Sequence, residues 1–335
     1  MKAKCDFSIF VSSFFSDYLV NRKNASSHTI LSYRDTFKLL LHFMSEQGLK
    51  PEKLSISMVD RFLIMNFLEW LENERKCSVT TQNQRLSALH SFFRYVQEDP
   101  QYLSSAQTIL SIPYKKASKP VVNFLSTNGI KALLEQPDTN TPTGRRDFVL
   151  LTVLYDTGAR VQELADLTVG DVIFDRYPYI VLTGKGRKSR MVPLMKESAQ
   201  MIKQYINQRP ESGTRKDSPL FPNRMGQKMT RAGISYILEK YTAHARISAP
   251  EEIPDKVTPH CLRHSKAMHL LQADVNLVYI RDFLGHNDVK TTEIYARADS
   301  ESKRKALQNA YPDLAPKRDL SWRDDKSLMA WLKSL

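Results

Sequence analysis

The stretch from Thr258 to Tyr295, TPHCLRHSKAMHLLQADVNLVYIRDFLGHNDVKTTEIY, carries polar side chains that a core would not want. Thr258 reads as an N-cap and Pro259 as the first helical residue, where a missing N–H costs nothing. His260 and Arg263, three apart, share one face of that helix. Asn276 can cap a second helix with apolar residues at Leu277, Ile280 and Leu284, and Gly285 ends it where a left-handed turn is favoured. His286 follows that glycine directly. Asp288 can cap a third, short helix that carries Tyr295. Three helix ends therefore bring His260, Arg263, His286 and Tyr295 within reach of one another. Three hydrogen-bond donors and one phenol suit attack by the phenol on a phosphodiester.

His-x-x-Arg, then Leu-Gly-His, then a tyrosine nine residues after that histidine, resembles the catalytic half of the tyrosine recombinases, the phage (lambda) integrase and Xer superfamily. The resemblance implies two further features upstream: an arginine near an acidic residue, and a lysine on a β-hairpin. In TGARVQELADL, Arg160 begins a short helix and Glu163 lies one turn on, positioned to hold it. Residues 179 to 183 read as a strand, Gly184 to Ser189 as a basic turn, and Arg190 to Pro193 as the returning strand. The family places its catalytic lysine on this turn, and TGKGRKSRMVPL matches that pattern, which selects Lys185. The likeness covers Phe124 to Ala298 closely and the first part of the chain loosely.

The resemblance also implies roles. A phenol at pH 7 is ionised in about one molecule in a thousand, a handicap of about 4 kcal/mol, so Tyr295 must lose its proton as it attacks. Arg160 and Arg263 would clamp the non-bridging oxygens, with His260 and His286 as further donors. Lys185 would protonate the leaving 5′-oxygen. The product would be a 3′-phosphotyrosyl bond, rejoined without cofactor, metal or ATP. His260 is the expected acceptor of the Tyr295 proton. A zinc site on His260 and His264, four apart, is the competing reading; no acidic third ligand lies near, and Arg263 between them would repel a cation.

The chain has 335 residues, enough for two domains, and a formal net charge of +13 with a pI of about 9.5. That favours a polyanionic partner. No run of about 18 apolar residues occurs, so no helix is expected to span a membrane. The N-terminus, broken by Asp6, Ser12, Ser13, Ser16 and Asp17, reads as an amphipathic helix and not as a signal peptide. Cys5, Cys77 and Cys261, odd in number and far apart, point to reduced thiols and a cytoplasmic protein.

The fold class expected is mainly α with a small β-hairpin or sheet. Residues 1–112 read as four amphipathic helices in a bundle, in the family a SAM-like core-binding domain that grips DNA; no additional arm-binding domain precedes it. Its apolar positions include Phe7, Phe14, Phe37, Phe62, Phe67, Leu86 and Phe92. Residues 113–122 read as an extended linker, 123–300 as an α+β catalytic domain, and 301–335 as a tail. Leu328, Trp331, Leu332 and Leu335 share one face of that tail, which in the family docks on a neighbouring protomer. Expected DNA contacts are Arg34, Arg85, Lys115, Lys116, Lys119, Arg187, Lys188, Arg190 and Arg231. The partners implied are double-stranded DNA, a homo-oligomer (a tetramer on two sites) and accessory proteins. The expected function is site-specific recombination for a mobile element. The alternatives are an Xer-type resolvase of chromosome or plasmid dimers, a type IB topoisomerase, and a catalytically idle DNA-binding protein.

Overall fold

Side-chain caps set where most of the helices begin. In a computed structural model of the chain, residues 6–50, 53–117, 122–184, 186, 188–286, 288–298, 330 and 332–334 are described. They fall into two units, 1–120 and 121–335. In the first, Ser26, Asp60 and Ser78 accept from the backbone N–H three residues on and start α2 (Ser27–Glu46), α3 (Arg61–Asn73) and α4 (Val79–Val96). Ahead of them α1 (Phe7–Ser13) runs on as a π-helical stretch, Phe14–Arg22. A further helix, α5 (Leu103–Leu110), adds to the four expected; its sequence, LSSAQTIL, is too short and serine-rich to announce itself.

Aromatic rings fill this unit. The Phe14 ring lies 5.3 Å from Phe92 and 6.1 Å from Phe37, and Phe37 lies 5.1 Å from Phe92. Such edge-on and tilted contacts contribute beyond area burial. The buried carboxylate of Asp6 accepts from the Ile56 N–H at 2.9 Å and from the Tyr102 hydroxyl, tying the start of the chain to two later turns. Phe62 departs from expectation: it is 72% exposed. The buried face of α3 is set by Ile64, Phe67, Leu68 and Leu71. At 100° per residue, Phe62 points away from it.

The second unit begins with α6 (Thr127–Leu134), capped by Ser126. Thr141 caps α7 (Pro142–Thr157), which ends at Gly158 in the left-handed conformation. The short α8 (Val161–Asp166) leads to an antiparallel sheet of order β1-β2-β3: β1 (Val172–Ile173), β2 (Tyr179–Thr183) and β3 (Ser189–Pro193). The expected hairpin is β2–β3, with Thr183 opposite Ser189 and Leu182 opposite Arg190; the two-residue β1 adds an edge. Then come α9 (Lys196–Asn207), α10 (Arg231–Ser248), α11 (Pro259–Gln272), α12 (Leu277–Leu284) and α13 (Glu293–Ala298). The apolar face of α7 (Leu150, Leu151, Leu154) meets Ile180, Leu182 and Val192 of the sheet and Ile202 and Leu238 of α9 and α10 in one core. Asp147, buried on α7, accepts from the Tyr241 hydroxyl of α10 at 3.1 Å and pairs with Arg146. A smaller cluster joins Ala267, Met268, Ile280, Leu284 and Tyr295.

The contrast between two phenylalanines tests this packing. Phe92→Ala should cost about 3–5 kcal/mol, the usual range for emptying a buried aromatic site. Phe62→Ala should change stability by no more than about 0.5 kcal/mol. Thermal and urea unfolding of the full chain measures both; equal losses would contradict the burial pattern of α3.

Candidate active site

The site is assembled on the first turn of α8. Arg160 is the N-cap residue of this helix, with extended backbone angles. Its N–H donates to Glu163 Oε2 at 2.9 Å and its guanidinium NH1 to Glu163 Oε1 at 2.7 Å. From β3, Arg190 donates through NH1 to Oε1 at 3.0 Å and through NH2 to Oε2 at 2.8 Å. Glu163, 3% exposed, thus meets four N–H groups. Burial alone would raise its carboxyl pKa; the hydrogen bonds from Arg190 and from the Arg160 backbone outweigh that and bring it down to about 2. The expectation that Arg190 contacts phosphate is therefore corrected: its side chain points inward, on the same face of β3 as the buried Val192. The signal was in the alternation. Arg190, Val192 and Leu194 share one side of a strand whose other side shows Met191 to solvent.

Three arginines converge on the C-terminus of α12. Arg190 Nε donates to Phe283 O at 3.0 Å, Arg263 NH2 to Leu284 O at 2.7 Å, and Arg160 NH2 to Gly285 O at 3.2 Å. These carbonyls have no intrahelical partner and form the negative end of the helix dipole, where cations are favoured. Arg263 also donates to Gly158 O at 2.6 Å, joining the end of α7 to that of α12. Its burial, and then the charges of Arg160 and Arg190, lower its pKa to about 10, which leaves it cationic at neutral pH. Arg160 is the open member, with 38% of its side chain exposed. Gly285 has φ +67°, and a Cβ there would lie 2.9 Å from Arg190 Cδ. At Gly184, the first residue of the hairpin turn, a Cβ would lie 2.9 Å from Glu163 Oε1.

Tyr295 on α13 is 1% exposed. Its hydroxyl lies 2.9 Å from His264 Nδ1, and its ring stacks on His286 with 6.4 Å between centroids and 13° between planes. His286 Nδ1 in turn is 3.0 Å from Thr292 Oγ1. Burial raises the phenol pKa, against the opposing charges of Arg263 and Arg160. Burial, together with the surrounding imidazole and guanidinium groups, lowers His264 and His286 to about 4, so both are neutral at pH 7. With Nε2 protonated, His264 accepts the phenol hydrogen. The hydroxyl thus meets His264, one helical turn beyond His260, the expected acceptor of its proton during attack. His260 stays exposed, its pKa lowered by partial burial and by Arg263 and Arg160. Sequence reasoning weighed His264 only as a metal ligand. Among the described residues, no group of three or more His, Cys, Asp or Glu is placed to hold a metal ion.

The basic residues expected at DNA divide. Lys116, Lys188 and Arg231 are exposed. Arg34 is exposed beside Asp35 at 3.2 Å, and exposed Lys115 pairs with Glu72. Arg85 is corrected: it is half-buried and donates to Ser32 O and Thr36 Oγ1, both at 3.1 Å, so it staples α4 to α2. Lys119, Lys185 and Arg187 lie outside the described residues, as do Cys5 and, in the tail, Leu328, Trp331 and Leu335. No helix among the described residues is long and apolar enough to cross a membrane.

Known proteins resemble both units of the chain. The phage integrase family matches residues 123–302, and the phage integrase N-terminal SAM-like domain matches residues 13–98. A putative integrase/recombinase, y4rC, of Sinorhizobium fredii is 38% identical over 96% of this chain and 96% of its own. Tyrosine recombinase XerC of Pelotomaculum thermopropionicum is 32% identical over 89% of this chain and 96% of its own. Among solved structures, the XerH site-specific recombinase bound to palindromic difH substrate in a post-cleavage complex superposes with a TM-score of 0.68 at 22% identity, covering 89% of this chain and 84% of that one. The Tn1549 transposon integrase in complex with transposon right end DNA gives 0.68 at 19% identity, covering 90% and 99%. At these identities the two structures speak for the fold.

Two measurements test the site's electrostatics. Glu163→Gln should cost about 3–5 kcal/mol at pH 7, because two arginines then lose their buried counter-charge. The folded carboxyl lies at about 2 against an ordinary 4.5. The stability it contributes is therefore complete above pH 4.5 and is lost as pH falls towards 2. Urea unfolding from pH 3 to 7 should show wild type and variant converging on the acid side; a gap independent of pH would exclude the charge as its source. In an absorbance titration, wild type minus Tyr295→Phe should yield a phenol that ionises above the ordinary value of 10. A midpoint at or below 10 would contradict the buried contact with His264.

Proposed function

Because the chain belongs to the phage integrase family, the tyrosine recombinases, we propose that Tyr295 is the nucleophile with which it cuts DNA, with Arg160 and Arg263 as the clamp on the scissile phosphate. The chain is a site-specific DNA recombinase that breaks and rejoins strands through a 3′-phosphotyrosyl intermediate. The observation that carries the assignment of residues is the convergence of Arg160 and Arg263 on one helix terminus, beside His286 and Tyr295.

The Tyr295 Oη gives its proton to His260 as it attacks phosphorus, the bond from phosphorus to the 5′-oxygen breaks, and that oxygen takes a proton from Lys185. The negative charge that grows on the non-bridging oxygens is met by two guanidinium groups that are already fixed, and fixed charges need no reorganisation at the moment of reaction. His260 and His286 add donors. The phosphotyrosyl bond retains the energy of the phosphodiester, and attack by a 5′-hydroxyl of another strand reverses every step. With 1% of its surface exposed, Tyr295 reaches a phosphate only after α13 carries it out of its pocket. The contact with His264 belongs to the resting position.

The substrate is double-stranded DNA, in line with the charge of +13 and the exposed Lys116, Lys188 and Arg231. Four protomers act on two sites, with the tail of each docking on its neighbour. The DNA belongs to a mobile element, a reading supported by the 38% identity to a putative integrase/recombinase over nearly the whole chain. An Xer-type role in resolving dimers is the second reading, supported by XerC at 32% identity.

Covalent trapping tests all of this. Wild type and Tyr295→Phe are incubated with DNA flanking the gene and with fragments of the host genome, then denatured, and DNA attached to protein is sequenced. Wild type should yield an adduct at one defined site and Tyr295→Phe none, with DNA binding retained. Arg263→Ala should slow adduct formation by roughly 10³-fold or more, as for other single arginines in phosphoryl transfer. Adducts at element ends support integration, and a single chromosomal locus supports the Xer role. Adducts without sequence preference would point to a topoisomerase, and none at all to an idle binder.

A further inference from the structure

We propose that Arg190 is a positioning residue of the recombination reaction: it fixes the Glu163 carboxylate and through it the orientation of Arg160, and it does not bind DNA phosphate. The proposal deepens, and rests on, the reading of Arg160 as part of the phosphate clamp.

Arg190 lies in the most basic stretch of the sequence, GKGRKSR, yet only 13% of its side chain is exposed. Three of the five N–H groups of a guanidinium are committed to acceptors of good geometry: Nε to Phe283 O, NH1 to Glu163 Oε1 and NH2 to Glu163 Oε2. The fork on the carboxylate is bidentate, the arrangement that fixes orientation as well as charge. A carboxylate offers about four acceptor sites. On Glu163, Arg190 takes two and Arg160 takes the others, one with its backbone and one with its guanidinium. The Arg160 side chain is thus held at one edge of a group whose opposite edge is held by Arg190. Without Arg190 the carboxylate is buried with half its donors, all of them from Arg160 itself, so no third residue fixes the plane in which it holds the Arg160 guanidinium.

The same side chain joins three segments distant in sequence: β3, the first turn of α8 and the last turn of α12. Two glycines that border this cluster are explained by it. A Cβ on Gly285 would strike the Arg190 side chain and one on Gly184 would strike Glu163 Oε1, and neither partner is free to move, because each is pinned by several hydrogen bonds. Both terminal nitrogens of Arg190 are engaged by a buried carboxylate, and drawing the side chain out towards a phosphate is unfavourable for both charges.

The test separates orientation from binding and from proton donation. Arg190→Gln and Arg190→Lys are compared with wild type for DNA affinity over a range of salt, and for the rate of covalent adduct formation at saturating DNA. Both variants should bind within about twofold of wild type with an unchanged salt slope, whereas loss of a phosphate contact lowers that slope by about one. Adduct formation should fall about 100-fold in Arg190→Gln, the scale of effect expected when a reacting group is misplaced by about 1 Å. Arg190→Lys, which keeps the charge without the fork, should recover part of the rate. The rates are then repeated on DNA with sulfur in place of the bridging 5′-oxygen, a leaving group that needs no proton. That substrate should restore Lys185→Ala but not Arg190→Gln.

An unchanged adduct rate, a weakened affinity with a shallower salt slope, or rescue by the sulfur substrate would each overturn the proposal. If Arg190→Gln fails to fold, the same comparison is made with Arg190→Lys alone, and wild-type rates in that variant overturn it too. A wild-type protein that forms no adduct would instead defeat the recombinase reading on which the proposal stands, a result distinguishable because it precedes any variant.

Discussion

A carboxylate held away from water must be surrounded by donors, and Glu163 is where this constraint shapes the second unit. Leaving such a charge partly paired is far more costly than never burying it. The positions of α8, β3 and α12 are therefore not independent. Each contributes to one hydrogen-bonded unit in which Arg160 and Arg190 meet the acid and, with Arg263, meet three consecutive carbonyls at the end of α12. A helix terminus that would otherwise need water is used to hold cations in a fixed array. Preorganised charge of this kind is what a phosphoryl-transfer site requires, since the array does not have to be rebuilt when negative charge develops.

Electrostatic order also separates the roles within the array. Arg263 is buried and doubly bonded to carbonyls from α7 and α12, so its place is set by backbone. Arg160 is the more exposed, and its place is set by a side chain, Glu163. The histidines around Tyr295 are neutral at physiological pH because burial and the arginines suppress their protonation. The site therefore carries its positive charge on groups that do not titrate near neutrality, while its imidazoles remain able both to accept and to donate.

Much of this was legible in the chain because it rests on local rules. Thr258 with Pro259, Asn276 and Gly285 mark helix boundaries through capping and left-handed backbone, and all three boundaries fall where those rules place them. The spacing of Arg160 and Glu163 identified their contact for the same reason. What was not legible depends on which way a side chain turns. Arg190 sits in so basic a run that composition suggested solvent, while the strand's alternation, two residues before buried Val192, pointed inward. Arg85 and Phe62 were misjudged likewise, one by its charge and the other by its apolar character, since helix rotation and not residue type decides the face. The contact between His264 and Tyr295 spans 31 residues and depends on how α13 packs against α11, which no local pattern encodes.

The ring of Tyr295, the proposed nucleophile, is also a packing element. Tyr295 fills a small apolar cluster with Ala267, Met268, Ile280 and Leu284. Swinging it out empties a space the size of an aromatic side chain, and vacating such a space costs about 3–5 kcal/mol. At that cost only about one free molecule in a thousand presents its phenol at any moment. With Tyr295 as the proposed nucleophile, the free protein keeps its attacking atom sheathed. The energy to unsheathe it has to come from contacts that form only on the correct sequence. Faithful cutting then depends less on how tightly the protein binds than on how much of that binding it diverts into moving one ring.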